Sequence, residues 1–132
     1  MAEETYPEDL RYHPEHDWAR IEGAEATFGV TWYAQDALGE VVFYEAPEVG
    51  SEVTKDQAYA EVESVKAVSD VIAPLSGEIV GVNEALADSP ERVNEDPYGE
   101  GWMVRVRLSD PAEADTLLDA AAYRALLADE GG

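Results

Sequence analysis

The chain contains no cysteine in its 132 residues, which removes disulfides, thiolate nucleophiles and cysteine-held metal clusters from consideration. Any redox-active sulfur it uses must arrive on a cofactor. Basic residues are scarce: 8 Lys and Arg stand against 30 Asp and Glu, a formal net charge of −22 at pH 7. Nucleic acid and anionic membranes are bound through basic patches, so neither is an expected partner. The acidity suits partners with basic faces, or an acid-rich proteome, and the count does not separate the two. Apolar runs long enough to span a membrane are also absent. The N-terminus, Met1-Ala2-Glu3-Glu4-Thr5, lacks the basic-then-apolar pattern of a secretory signal, so a cytoplasmic protein is expected. Histidine occurs only at His13 and His16, too few ligands for a metal centre. The acid-rich stretch from Asn94 to Glu100 is interrupted by Pro97 and lacks calcium-loop spacing, so it reads as a turn.

What is present fits one folded domain over residues 1–132, with 45% hydrophobic and 9% aromatic residues. Residues 1–10 are polar and acidic and read as a loose lead-in. Alternation predicts strands from Trp18 to Phe28 around a turn at Glu22-Gly23, over Glu40 to Tyr44, over Ala58 to Glu63, from Lys66 to Ile72, and over Gly101 to Leu108. Short helical turns are expected at Gln35 to Leu38, ended by Gly39, and at Asn83 to Leu86 with Asn83 as N-cap. Residues 90–101 read as loop. Asp110-Pro111 opens a C-terminal helix over 111–128, with Leu117, Leu118, Ala121, Ala125 and Leu126 as its apolar stripe. An internal echo links Pro47/Pro74, Gly50/Gly77 and Val53/Val80, which suggests two similar halves about a pseudo-twofold axis.

One residue stands out. The chain has two lysines, Lys55 and Lys66, and Lys66 lies between two valine-rich runs where the chain reverses. An amine at a hairpin tip with small apolar neighbours suits covalent attachment of a carrier group. It equally suits an ordinary solvated lysine, and composition does not decide between them.

The order of motifs does. Glu63-Ser64-Val65-Lys66-Ala67, followed by Ser69-Asp70, Pro74 and Gly77, resembles the lipoyl-attachment segment of the glycine cleavage system H protein family. Upstream, His16-Asp17-Trp18, Gly29-Val30-Thr31, Tyr33-Ala34-Gln35, Leu38-Gly39-Glu40 and Pro47-Glu48-Val49-Gly50 follow the same family order. Downstream, Val82-Asn83, Val93-Asn94, Asp96-Pro97-Tyr98-Gly99 and Gly101-Trp102 extend the match over about residues 11–127. Trp32 and Ala46 depart from it, standing where the family often has Asp and Leu.

The resemblance implies a mainly β, barrel-sandwich hybrid fold with short helices and a C-terminal helix. It also implies a monomeric, non-catalytic carrier with lipoic acid in amide linkage to Lys66. Such a carrier takes the aminomethyl group of glycine from a pyridoxal-phosphate-dependent glycine decarboxylase to a tetrahydrofolate-dependent aminomethyltransferase. Dihydrolipoyl dehydrogenase then reoxidises it. A lipoate ligase or octanoyltransferase would find the lysine through features such as Glu63 and Ser64. Asp17, in place of the family's longer glutamate, and Asp70 are expected at a cleft for the loaded arm. Trp18 is expected in the core. A lipoyl relay, or a 2-oxo acid dehydrogenase-type or biotinyl swinging arm, is the alternative. Biotin acceptors bracket the lysine with methionines, and Val65 and Ala67 stand there instead.

Overall fold

Short β-branched and aromatic runs, each ended within a few residues by Gly, Pro or an acidic turn, produce a chain of antiparallel hairpins. The computed structural model describes residues 3–131. Its strands are β1 (Arg11–His13), β2 (Asp17–Glu22), β3 (Glu25–Val30), β4 (Val41–Glu45), β5 (Glu52–Val53), β6 (Ala58–Ser64), β7 (Val68–Ile72), β8 (Gly77–Val82) and β9 (Val104–Leu108). Helix α1 (Trp32–Leu38) separates β3 from β4, and α2 (Ala85–Asp88) and α3 (Arg92–Glu95) lie between β8 and β9. A 3-10 helix (Pro111–Thr116) and α4 (Ala120–Gly131) close the chain. Two antiparallel sheets result, one six-stranded in the order β1-β2-β3-β9-β8-β5 and one three-stranded in the order β4-β6-β7. The mainly β two-sheet architecture with short helices and a C-terminal helix is the one expected.

Apolar residues from alternate strand positions fill three adjoining clusters. One is built on Phe28, Leu75, Ile79 and Val106, and a second on Val41, Val62, Val71 and Met103. The third is aromatic: Tyr6, Tyr12, Trp18, Tyr98 and Tyr123. Trp18 is fully buried, as expected, and its indole Nε1–H donates to the Pro97 carbonyl at 3.0 Å. Trp32 is half-buried against this aromatic cluster.

The sequence echo has a structural counterpart. Its two segments lie side by side, with Glu52 opposite Glu78, Val53 opposite Gly77, and Ile79 bonded to Gly50 and Ser51. An antiparallel pair of equivalent segments is what a local twofold axis requires.

Several elements differ from expectation. The lead-in is anchored: Tyr6 and Leu10 are buried, Tyr6 sits edge-on to Tyr12 and Tyr123, and Arg124 donates to the Tyr6 carbonyl at 3.0 Å. Met1 and Ala2 lie outside the described residues. The C-terminal helix starts at Ala120, not at residue 111. Asp110 caps a 3-10 turn instead, Leu117 is extended, and Leu118 forms a β-bridge with Tyr12 (N–O 2.8 Å both ways). The stretch 90–101 contains α3, and its turns run on, so that β9 begins at Val104 and not at Gly101. Helix α1 begins earlier than the glycine stop alone indicates, because Thr31 caps it by accepting from the Ala34 N–H at 3.3 Å.

Gly77 sits where β8 is flanked by both β5 and β9, and a Cβ there would collide with the Arg107 carbonyl oxygen. Gly77→Ala is therefore expected to destabilise the fold by about 2 kcal/mol, read as a lowered denaturation midpoint with an unchanged m-value.

Candidate functional site

Strands β6 and β7 form a hairpin whose turn, residues 64–67, is organised by one hydroxyl. The Ser64 Oγ accepts from the N–H groups of Lys66 (3.2 Å) and Ala67 (3.1 Å), while the Ser64 N–H donates to the Ala67 carbonyl (2.8 Å). The Val65 N–H donates to the Glu40 carbonyl at 3.0 Å, pinning the tip to the segment before β4. Lys66 is exposed, and its aliphatic stem passes over Gly39. A Cβ at Gly39 would lie 3.2 Å from the Lys66 Cε, and the residue has φ 82°, so glycine is needed there on both counts.

The Glu40 carbonyl is itself held in place. Asn94 is buried; its Oδ1 accepts from the Val41 N–H (2.8 Å), and its Nδ2 donates to the Gly39 carbonyl (2.8 Å) and to Gln35 Oε1 (3.0 Å). The Gln35 carboxamide donates in turn to the Trp32 carbonyl at 3.1 Å. One buried amide pair thus clamps both sides of Glu40 and, through it, the lysine-bearing tip. Sequence reasoning placed Asn94 in a turn and gave Gln35 no role. Neither residue stands out locally, since Asn94 lies among Arg92, Glu95 and Asp96 and Gln35 is followed by Asp36. The pairing exists only across 59 residues of chain.

Beside the hairpin lies a cleft of about 380 Å³. Residues 67–72 form one wall, Tyr33, Ala34, Ala37 and Leu38 of α1 form another, and Glu15, His16 and Asp17 complete it. Asp17 and Asp70, far apart in sequence, both line it. Asp17 is buried, and its Oδ2 has no hydrogen-bond partner. Burial raises its carboxyl well above the usual range and nearby Glu15 adds to this, against a backbone hydrogen bond at Ile72 that favours the ionised form. His16 adopts φ 74°, its ring lies tilted against Tyr33 at 4.5 Å, and its Nδ1 lies 2.8 Å from the Tyr123 hydroxyl. The same hydroxyl lies 2.8 Å from the Thr31 Oγ1 that caps α1. Helix α4 therefore braces two walls of the cleft.

Lys66, Asp17 and Asp70 thus gather around one hairpin and its cleft. Glu63 lies opposite Phe43 and Val68, outside the residues that line the cleft, and the Ser64 hydroxyl is spent on the turn. Chemically, the arrangement offers an accessible amine for acylation beside a recess whose buried carboxyl favours a cationic occupant.

A family model described as Glycine cleavage H-protein matches residues 10–130. The Glycine cleavage system H protein of Halorhodospira halophila is 56% identical over 126 residues, covering 95% of this chain and 97% of that protein. That of Symbiobacterium thermophilum is 56% identical over 119 residues, covering 90% and 93%. Among solved structures, a glycine cleavage system H protein from Mycobacterium marinum superposes with a TM-score of 0.83 at 41% identity, covering 96% of this chain and 99% of that one.

Two outcomes follow from the geometry. Asp17 has a raised folded-state pKa, so its contribution to stability is complete below about pH 4 and is lost as pH rises through the folded value. Asp17→Asn is expected to remove that decline, and its melting temperature should gain on wild type from pH 4 towards neutrality. Comparing the two proteins cancels other titrations, such as that of Asp56, which His13 holds low. Asn94→Ala strands the Val41 N–H and the Gly39 carbonyl, costing about 3 kcal/mol and speeding amide exchange at Val65.

Proposed function

This chain belongs to the glycine cleavage H-protein family, and from that premise we propose that Lys66 is the residue through which it carries its lipoyl group. It is the lipoyl-bearing carrier that shuttles intermediates of glycine cleavage. The observation that carries the assignment is the placement of Lys66: exposed on a turn fixed by Ser64 and by Glu40, with a recess alongside.

The residues fit the group. An amide to Nζ removes one of the chain's few positive charges and disturbs no buried contact. The cleft joins apolar side chains such as Leu38, Val62 and Val71 to the unpartnered Asp17 oxygen. The lipoyl group, when bound, supplies the disulfide–dithiol chemistry that a cysteine-free chain lacks. Asp17 and Asp70 accept a protonated amine, and Asp17 ionises more readily with a cation beside it. The apolar walls limit water around that amine. Glu63 marks the lysine for a lipoate ligase or octanoyltransferase.

In this reading residues 1–132 form one non-catalytic, monomeric domain acting in the cytoplasm; no described helix is long and apolar enough to cross a membrane. Its partners are the pyridoxal-phosphate-dependent decarboxylase, the aminomethyltransferase and dihydrolipoyl dehydrogenase.

Incubation with lipoate ligase, ATP and lipoate is expected to add one lipoyl group at Lys66 and none at Lys55, by intact mass and peptide mapping. Lys66→Arg should keep the fold, take no lipoyl group, and support no glycine decarboxylation in the reconstituted system. Turnover retained in that variant would overturn the assignment.

A further inference from the structure

Large apolar side chains exposed to solvent are few among the described residues, and they are not scattered. Four of the five gather at one end of the small sheet: Val42 (46% exposed), Phe43 (48%), Val65 (68%) and Val68 (61%). Strand register explains the grouping. Phe43 pairs with Glu63, and Glu63 with Val68, so these side chains form one cross-strand row. The neighbouring positions Tyr44 and Val62 point the other way, into the core. A register shift between Val41 and Phe43 leaves Val42 outside as well.

The next row on the same outer face is Glu45, Glu61 and Asp70, aligned across all three strands. All three are exposed, and none forms an ion pair among the described residues. Like charges directly opposite one another destabilise an antiparallel sheet. The free protein therefore bears a repulsion that a basic surface would relieve. Phe43, Glu45 and Glu61 are not among the residues that line the cleft, whereas Val68 and Asp70 belong to both face and cleft. This face therefore adjoins the recess along β7 and extends away from it across β6 and β4.

We propose that this outer face is the docking platform for the enzyme that acylates Lys66, and that the enzyme meets it with an apolar patch bordered by Lys and Arg side chains. The proposal rests on the carrier reading and adds to it a surface beyond the turn itself. Length makes the choice of partner. A free lysine amine reaches only one side chain beyond the turn, and Val65 flanks it directly. An acylating active site must therefore close on the hairpin and its sheet. An enzyme acting at the far end of a finished arm stands further off and needs less of this face. In the step served, neutral Nζ attacks the carbonyl carbon of an acyl adenylate. The C–N bond forms, the C–O bond to the nucleotide phosphate breaks, AMP leaves, and the amine's proton passes to solvent.

The test uses initial rates of lipoyl addition by lipoate ligase with ATP and lipoate, read by intact mass. Phe43→Ser is expected to lower kcat/KM about tenfold, mainly through KM, the size of a modest interface hot spot. Val42→Ser, on the edge strand β4 and outside the cleft lining, supplies the same reading by a second route if Phe43→Ser folds poorly. Glu45→Gln with Glu61→Gln should flatten the fall of kcat/KM with ionic strength and raise the melting temperature of the free protein. Asp70 is left in place because it also lines the cleft. Glu22→Gln with Glu25→Gln, a directly opposed acid pair at the far β2–β3 turn, serves as the charge control: it should leave kcat/KM and its salt dependence as in wild type. Wild-type rates in Phe43→Ser and Val42→Ser, or equal effects of the two acid pairs on the salt dependence of kcat/KM, would overturn the docking platform alone. A wild-type chain that takes no lipoyl group would overturn the carrier reading, and the platform with it.

Discussion

The carboxamide of Asn94 holds the carbonyl of Gly39 and the N–H of Val41 at once, and the peptide between them fixes the lysine turn. A hairpin tip is usually the least ordered part of a sheet. Here the tip is tied at its base by Ser64 and from outside by Glu40, so the mobile part of the assembly begins at the lysine side chain. Rigidity up to Cα and freedom beyond it are what a tethered group needs: its reach is set by its own bonds, and its origin does not wander. Gly39 completes the arrangement, because any larger side chain would press on the stem it has to let pass.

The cleft uses the opposite strategy with charge. The chain carries −22 formal charges, nearly all in water, yet it sinks one carboxyl into a recess and leaves an oxygen of it unpartnered. Such a group is expensive to ionise when the recess is empty and easy to ionise when a cation is beside it. The acidity of the surface and the acidity of the cleft are therefore separate properties. The first governs long-range attraction and is screened by salt; the second is short-range and is not.

Strand alternation and turn chemistry made most of the sheet framework legible in sequence, and the scarcity of lysine drew attention to Lys66 directly. What stayed hidden depended on contacts between distant segments. Leu117 and Leu118 fit a helical stripe by spacing, but Leu118 is used as strand because Tyr12 offers a free edge. Tyr6 and Leu10 sit in acidic, polar sequence and are buried in an aromatic cluster that includes Tyr123, more than a hundred residues away. Asp17 carries a charge that normally marks a surface position, and its burial arises from packing of α1 and β7 over it. The run Val41-Val42-Phe43-Tyr44 announces a strand, but the irregularity that turns both Val42 and Phe43 outward is a matter of pairing.

Tyr123 has a further significance in time. It stacks at 4.7 Å on Tyr12, and its hydroxyl meets both His16 and Thr31, so the end of the chain braces a recess whose lining comes entirely from its first three-fifths. During synthesis the lysine hairpin emerges and can pair long before α4 leaves the ribosome. A nascent chain thus displays the Lys66 hairpin before the helix that braces the neighbouring recess has emerged. On the proposed role of Lys66, the order of emergence separates a stage at which the amine is already displayed from one at which the recess beside it is fully braced.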